Sequence, residues 1–150
     1  MTRVVSLLPS ATESLCAIGG EGLLVGRSHE CDHPRSIIDL PVLTSARTTF
    51  QPSGQVDREV REHLAAGQSL YRVDLDLLQR LRPDVILTQD LCSVCSIDLE
   101  TVSRAVESWA RPPRIVSLNP TTLEGVFDDL LTIGEGVGRA REAEAAAIRL

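Results

Sequence analysis

Apolar positions along the chain fall into two rhythms. Short, nearly solid runs occur at residues 3–8, 23–26, 41–44, 84–88 and 114–118. Between them, apolar residues return every three or four positions. The runs read as strands and the spaced segments as amphipathic helices. Ala11, Leu15 and Ile18 share one face of a helix that starts at Ala11 and that Gly19-Gly20 stops. Val56, Val60 and Leu64 mark another, with Gly67 at its end, Asp57/Arg61 and Arg58/Glu62 as wet-side pairs, and His63 as a packing residue beside the stripe. Leu75, Leu78 and Leu81 face inward from a third. Asp74 is its natural N-cap, Val73 and Leu78 have staple spacing, and Pro83 ends it. Leu99, Val102, Val106 and Trp109 line a fourth, which Pro112-Pro113 break. Leu123, Val126, Phe127, Leu130 and Leu131 face the sheet from a last helix starting near Thr122, which Gly134, Gly136 and Gly138 weaken locally. Residues 45–55 carry turn residues and no period, so they read as a loop.

Strands alternating with helices over short turns predict an α/β fold, a parallel sheet flanked by helices with right-handed crossovers. The run at 84–88 is almost wholly apolar, as expected of a strand buried on both faces.

One stretch occurs twice. Arg3-Val4-Val5-Ser6-Leu7-Leu8-Pro9-Ser10-Ala11-Thr12-Glu13 returns as Arg114-Ile115-Val116-Ser117-Leu118-Asn119-Pro120-Thr121-Thr122-Leu123-Glu124. Each copy reads as strand, Pro turn and helix start. Ser10 with Glu13, and Thr121 with Glu124, fit the capping box. The expectation is two strand-to-helix corners built alike at the carboxyl ends of their strands, where open α/β sheets bind ligands.

Composition narrows the function. A chain of 150 residues suits one domain. With 43% hydrophobic and 24% charged residues it belongs to the globular class. Aromatics are 3%, which makes the core aliphatic and argues against a base-stacking surface. A net charge of −6 disfavours nucleic acid and anionic membranes as partners. No apolar run is long enough to embed the chain in a membrane. The sequence opens on a strand rather than a basic-then-apolar leader. It therefore reads as cytoplasmic as written, or as periplasmic or extracellular with a leader removed. Four cysteines in this length are not a disulfide scaffold, and Cys16, beside the first helical stripe, reads as a buried small hydrophobe.

Two clusters carry soft donors. Cys92-x-x-Cys95 follows the strand at 84–88. It fits a redox dithiol, half of a metal site, or a pair of ordinary loop thiols; acidic residues near Asp98 would oppose a thiolate. His29-x-Cys31-x-His33 follows the strand at 23–26. If that loop is extended, alternate side chains point one way and all three face one point. Joined by Cys92 and Cys95, they would suffice for zinc, iron or another transition metal; otherwise the segment is a polar surface loop turning at His33-Pro34. The glycine fingerprints of nucleotide binding and the Gly-x-Ser-x-Gly elbow do not occur in the sequence, so enzyme activity is not expected.

The opening stretch, Leu24-Val25-Gly26-Arg27-Ser28 and Cys31-Asp32-His33-Pro34 together resemble the start of the cobalamin-, haem- and siderophore-binding proteins of bacterial ABC importers. These are the helical-backbone, or class III, substrate-binding proteins. Residues 74–87 resemble the helix–Pro-Asp–strand unit that follows in that family. The likeness is nearest to the cobalamin-binding branch, where a Ser28-His29-Glu30-Cys31-Asp32 loop and a Cys-x-x-Cys such as Cys92 and Cys95 are familiar.

The resemblance implies a non-enzymatic lobe with a Rossmann-like sheet over residues 1–120. Residues 121–150 would begin a long helix leading to a second lobe that this sequence does not contain; the Ala-, Glu- and Arg-rich composition after Arg139 agrees. Carried over to this chain, the cleft is lined by Pro9, Ser10 and Ala11, by His29, Glu30, Cys31 and Asp32, and by Gln89, Asp90, Cys92 and Cys95. The ligand would be cobalamin or a related metal chelate, with no resident cofactor required, and His29 or Cys31 a candidate axial ligand to cobalt. Asp76 matches the acidic position that docks on the transporter permease. The alternative function is a zinc or iron site, or a metal sensor, built from His29, Cys31, Cys92 and Cys95; a dithiol redox protein ranks third.

Overall fold

The structure, a computed structural model, describes residues 2–46, 71–89, 99–118 and 123–149. In chain order its elements are β1 (Val4–Ser6), α1 (Pro9–Ala17), β2 (Leu24–Arg27), β3 (Thr44–Ala46), β4 (Tyr71–Val73), α2 (Leu75–Leu81), β5 (Val85–Gln89), α3 (Leu99–Glu107), β6 (Arg114–Leu118), α4 (Leu123–Val137) and α5 (Ala140–Arg149). The main sheet has the order β2-β1-β5-β6, and every pairing in it is parallel. β3 and β4 pair antiparallel as a separate small sheet.

Strand alternation divides the core in two. Val4, Val85, Leu87, Val116 and Leu118 point to one face and meet Ala11, Leu15 and Ile18 of the first helical stripe, Leu130 and Ile133 of α4, and Ala143 and Ala146 of α5. Val5, Leu7 and Ile86 point to the other and meet Leu43, Leu78 of α2, and Val102 and Val106 of α3. With both faces covered by helices, the core-facing strand positions are mainly apolar. The α/β fold read from the sequence is the fold observed.

Several local expectations also hold. The Asp74 carboxylate accepts a hydrogen bond from the Leu77 amide at 3.0 Å, so α2 is capped as expected. α2 ends at Arg82, which takes the left-handed conformation, with Pro83 next. Gly19, at φ 77°, turns the chain after α1.

Other expectations are corrected. α1 begins at Pro9 with Leu8 as N-cap and no side-chain capping bond, so Ser10 lies inside the first turn and forms no capping box with Glu13. Proline at the first helical position has no N–H to satisfy, which removes part of the need for a cap. The third strand is displaced: Val42 makes one bridge to Arg27, and the strand proper includes Ser45 and Ala46, expected to be loop. Cys16 is half-buried rather than enclosed. Val126, expected to face the sheet, is 46% exposed. The helical stretch from 123 is not continuous. It breaks at Gly138, φ 78°, and α5 folds against α4 where Gly134 lies under Ala143. Thr121 and the helix expected over residues 56–67 lie outside the described residues.

The two copies of the opening stretch are not equivalent in the sheet. Register aligns Ser6 with Leu87 and Leu87 with Val116, whereas Ser117 aligns with Thr88. The second copy has slipped by one residue, which turns its side chains to the opposite face. Ser6 is buried against α1, and Ser117 is exposed.

Candidate functional site at the carboxyl ends of the strands

From β1 the chain passes to β2 on one side, then returns to place β5 on the other. The strand order therefore reverses between β1 and β5, and the crevice at their carboxyl ends is the place where such sheets bind ligands. The first turn of α1 follows β1 at this end of the sheet, and the loop after β2 lies one strand further out.

Pro9 is half-buried, Ser10 is exposed, and Ala11 is buried in the core beneath them. Ser10 thus surfaces at the site, while Ala11, expected to line it, supports it from below.

The loop after β2 is a tight turn rather than an extended segment. The Cys31 amide donates to the Ser28 carbonyl at 3.1 Å, and the Glu30 amide to Ser28 Oγ at 3.3 Å. This turn defeats the alternation expected for His29, Cys31 and His33. Cys31 points inward and is 1% exposed, while His29, Glu30, Asp32 and His33 lie outward. Among the described residues no three His, Cys, Asp or Glu side chains gather to hold a metal ion. Asp90, Cys92 and Cys95 and the side chain of Gln89 lie outside the described residues.

A buried polar network fastens the loop to the sheet. Thr12 Oγ1 lies 2.7 Å from Ser6 Oγ, 3.1 Å from Cys31 Sγ and 3.2 Å from the Leu8 carbonyl. Ser28 Oγ is also 3.1 Å from Cys31 Sγ. Cys31 therefore sits in a hydroxyl cage with Ser6, Thr12 and Ser28, all of them buried.

Arg27, at the end of β2 and 9% exposed, fastens the loop from the side. Its Nη1 donates to the Ser28 and Cys31 carbonyls at 3.1 and 3.0 Å, and its Nη2 to the Ile38 carbonyl at 2.8 Å. Its amide donates to the Pro41 carbonyl, and its own carbonyl accepts from the Leu43 amide. Nε is buried with no partner among the described residues.

His29 is held differently. Its amide donates to Thr44 Oγ1 at 2.8 Å, and its ring Nδ1 lies 2.6 Å from the same oxygen. With Nδ1 protonated, Thr44 accepts both bonds and Nε2 presents a lone pair, which is the ligating tautomer. With Nδ1 bare, Thr44 donates to it and Nε2 carries the proton, 3.9 Å from Glu30 Oε1. The imidazole is 31% exposed and is held at Nδ1 by Thr44.

Asp76 is exposed in the first turn of α2. Because α2 leads into parallel β5, that turn lies at the same end of the sheet as the crevice. Residues missed from sequence are Ser6, Thr12, Arg27 and Thr44. The available signal was their position: each lies at the end of an apolar run or within a buried stripe, where a polar side chain needs a partner.

No protein family and no curated protein matches the sequence. Solved structures match in fold. A periplasmic heme-binding protein from Pseudomonas aeruginosa superposes with a TM-score of 0.70 at 21% identity, over 99% of this chain and 42% of that one. The periplasmic heme-binding protein HutB of Vibrio cholerae gives 0.69 at 18%, over 99% and 46%. The periplasmic vitamin B12-binding protein BtuF of Vibrio cholerae gives 0.68 at 18%, over 98% and 46%. The chain spans less than half the length of these structures. Among the described residues no helix is long and apolar enough to cross a membrane.

Proposed function

We propose that this chain is a non-enzymatic ligand-binding lobe of a class III substrate-binding protein, and that it holds a metal chelate, cobalamin first, for delivery to an ABC importer outside the cytoplasm. The observation that carries this reading is the His29 imidazole. It is pinned through Nδ1 to Thr44 in the loop after β2, at the carboxyl end of the sheet, in a fold shared with heme- and B12-binding proteins. Nε2 of that ring is the axial ligand to the metal, replacing a bound water. Cys31 has no part in ligation, because it is enclosed. Ser10, Glu30 and Asp32 fix the orientation of polar groups on the chelate, while shape and apolar contact supply most of the affinity. Asp76 docks on the importer permease.

A corrin suits the site better than a porphyrin. Porphyrin faces stack well on aromatic rings. The chain has four aromatic residues, and Trp109 stands beyond the end of α3, at the opposite end of the sheet.

A visible-absorbance titration tests the reading. Aquocobalamin is expected to shift its bands saturably on addition of the protein, and His29→Ala to abolish the shift. A saturable shift with ferric haem but not with aquocobalamin would reassign the ligand to an iron porphyrin. No shift with either, and no retention of either on a sizing column, would overturn the proposal.

A further inference from the structure

The opposite end of the sheet holds a second cavity. It has a volume of about 710 Å³ and lies between the end of α2, the start of β5 and the turn after α3. Arg3, Arg82 and Arg111 line it with Trp109, over a floor that includes buried Pro83. Asp84 is the one carboxylate in the lining. In a chain of net charge −6, three guanidinium groups around one cavity is a local reversal of sign.

Helix ends explain part of it. Both α2 and α3 finish here, and cations favour helix carboxyl ends. Arg3 already fills that role for α2, donating from Nε to the Leu81 carbonyl at 2.8 Å. Asp84 is engaged as well, accepting from the Arg3 amide at 2.8 Å. The guanidinium groups of Arg82 and Arg111 make no hydrogen bond or ion pair among the described residues. Trp109 is half-buried in the same lining, and its indole N–H has no acceptor among the described residues. Unpaired guanidinium groups and an indole in one lining match a planar ring that carries a multiply charged acid, the ring packing on indole and the acid taking paired N–H donors.

We propose that this cavity binds an aromatic anion of that kind, either a nucleotide or an aromatic polycarboxylate, with Trp109 against the ring and Arg82 and Arg111 on the acid. The site is remote from His29 and does not depend on the chelate-binding reading.

Trp109 is the only tryptophan in the chain, so its fluorescence reports on this cavity directly. The intact protein is titrated at low ionic strength, where exposed charges are least screened. The probes are ADP, benzenetricarboxylate, and pyrophosphate as the anion without a ring. A saturable change with ADP or benzenetricarboxylate is expected, weakened roughly tenfold or more in an Arg82→Gln, Arg111→Gln double variant. Whichever ring acid binds more tightly identifies the source. Both substituted residues are exposed, so an unchanged thermal midpoint will confirm that the variant is folded. Pyrophosphate binding as tightly as the ring acids would overturn the aromatic assignment. A change that does not saturate, or that the double variant leaves intact, would overturn the site.

Discussion

Thr44 holds His29 twice through one oxygen, taking the backbone amide at 2.8 Å and standing 2.6 Å from ring Nδ1. Thr44→Val keeps the shape and removes both bonds. The expected loss of stability is about 1–2 kcal/mol, one or two net hydrogen bonds, measured by urea unfolding. Chelate affinity should fall with it, because the imidazole loses its fixed orientation, and Thr44→Ser should restore both.

Thr12 is the hub of the buried cage. One hydroxyl serves Ser6, Cys31 and the Leu8 carbonyl, and neither Ser6 nor Cys31 can turn to water instead. Thr12→Val removes these contacts together, while Ser6 keeps its bond to the Leu8 carbonyl and Cys31 its contact with Ser28, so the expected cost is about 1 kcal/mol. Thr12→Ser retains the hydroxyl and should cost less, through the lost methyl contact alone. Equal urea midpoints for the two variants would show that the cage contributes nothing.

Much of this architecture was legible in the sequence. The stripe of Ala11, Leu15 and Ile18, the Asp74 cap and the solid run of β5 follow from periodicity and capping chemistry acting within a few residues. The misreadings arise where a local rule met a longer-range one. Ser10 and Glu13 have capping-box spacing, but Pro9 takes the first helical position and moves the cap to Leu8. His29, Cys31 and His33 alternate only in an extended chain, and the turn closed by Ser28 and Cys31 ends the alternation. β3 and β4 are three residues each and stabilise one another, so neither shows a period alone. The role of Arg27 has no side-chain signature, because its partners are backbone carbonyls.

Gly134 makes the close approach of α4 and α5 possible. A Cβ there would overlap the Cβ of Ala143 and come within 2.9 Å of the Arg139 carbonyl, and backbone cannot swing aside. Gly134→Ala should destabilise by about 1–3 kcal/mol despite its better helix propensity. Gly22→Ala, where a Cβ meets nothing within 4 Å, is the matched control in the same thermal measurement.

Burial pushes the Cys16 thiol up from 9.0 to about 11, with Glu21 adding to the effect. The folded protein then keeps a proton that the unfolded chain releases. Between those values the unfolded state binds fewer protons, so stability falls as pH rises from about 9 towards 11. The chain contains no lysine, which removes one class of group from this window, and Cys16→Ala serves as the reference for the others. Urea midpoints measured across it should decline more steeply for the natural protein than for Cys16→Ala.

Pulling residues 28–38 off the edge of β2 would break all three bonds from the Arg27 guanidinium to backbone carbonyls at once. The loop is tied to the end of the strand, and opening it costs those bonds together. The amides of Cys31 and Leu43 should therefore exchange with deuterium in step with those of β2, at the slow rate of a sheet. On the proposed function, a ligand arriving at His29 would meet a surface already set, and its association rate would include no wait for the loop to order.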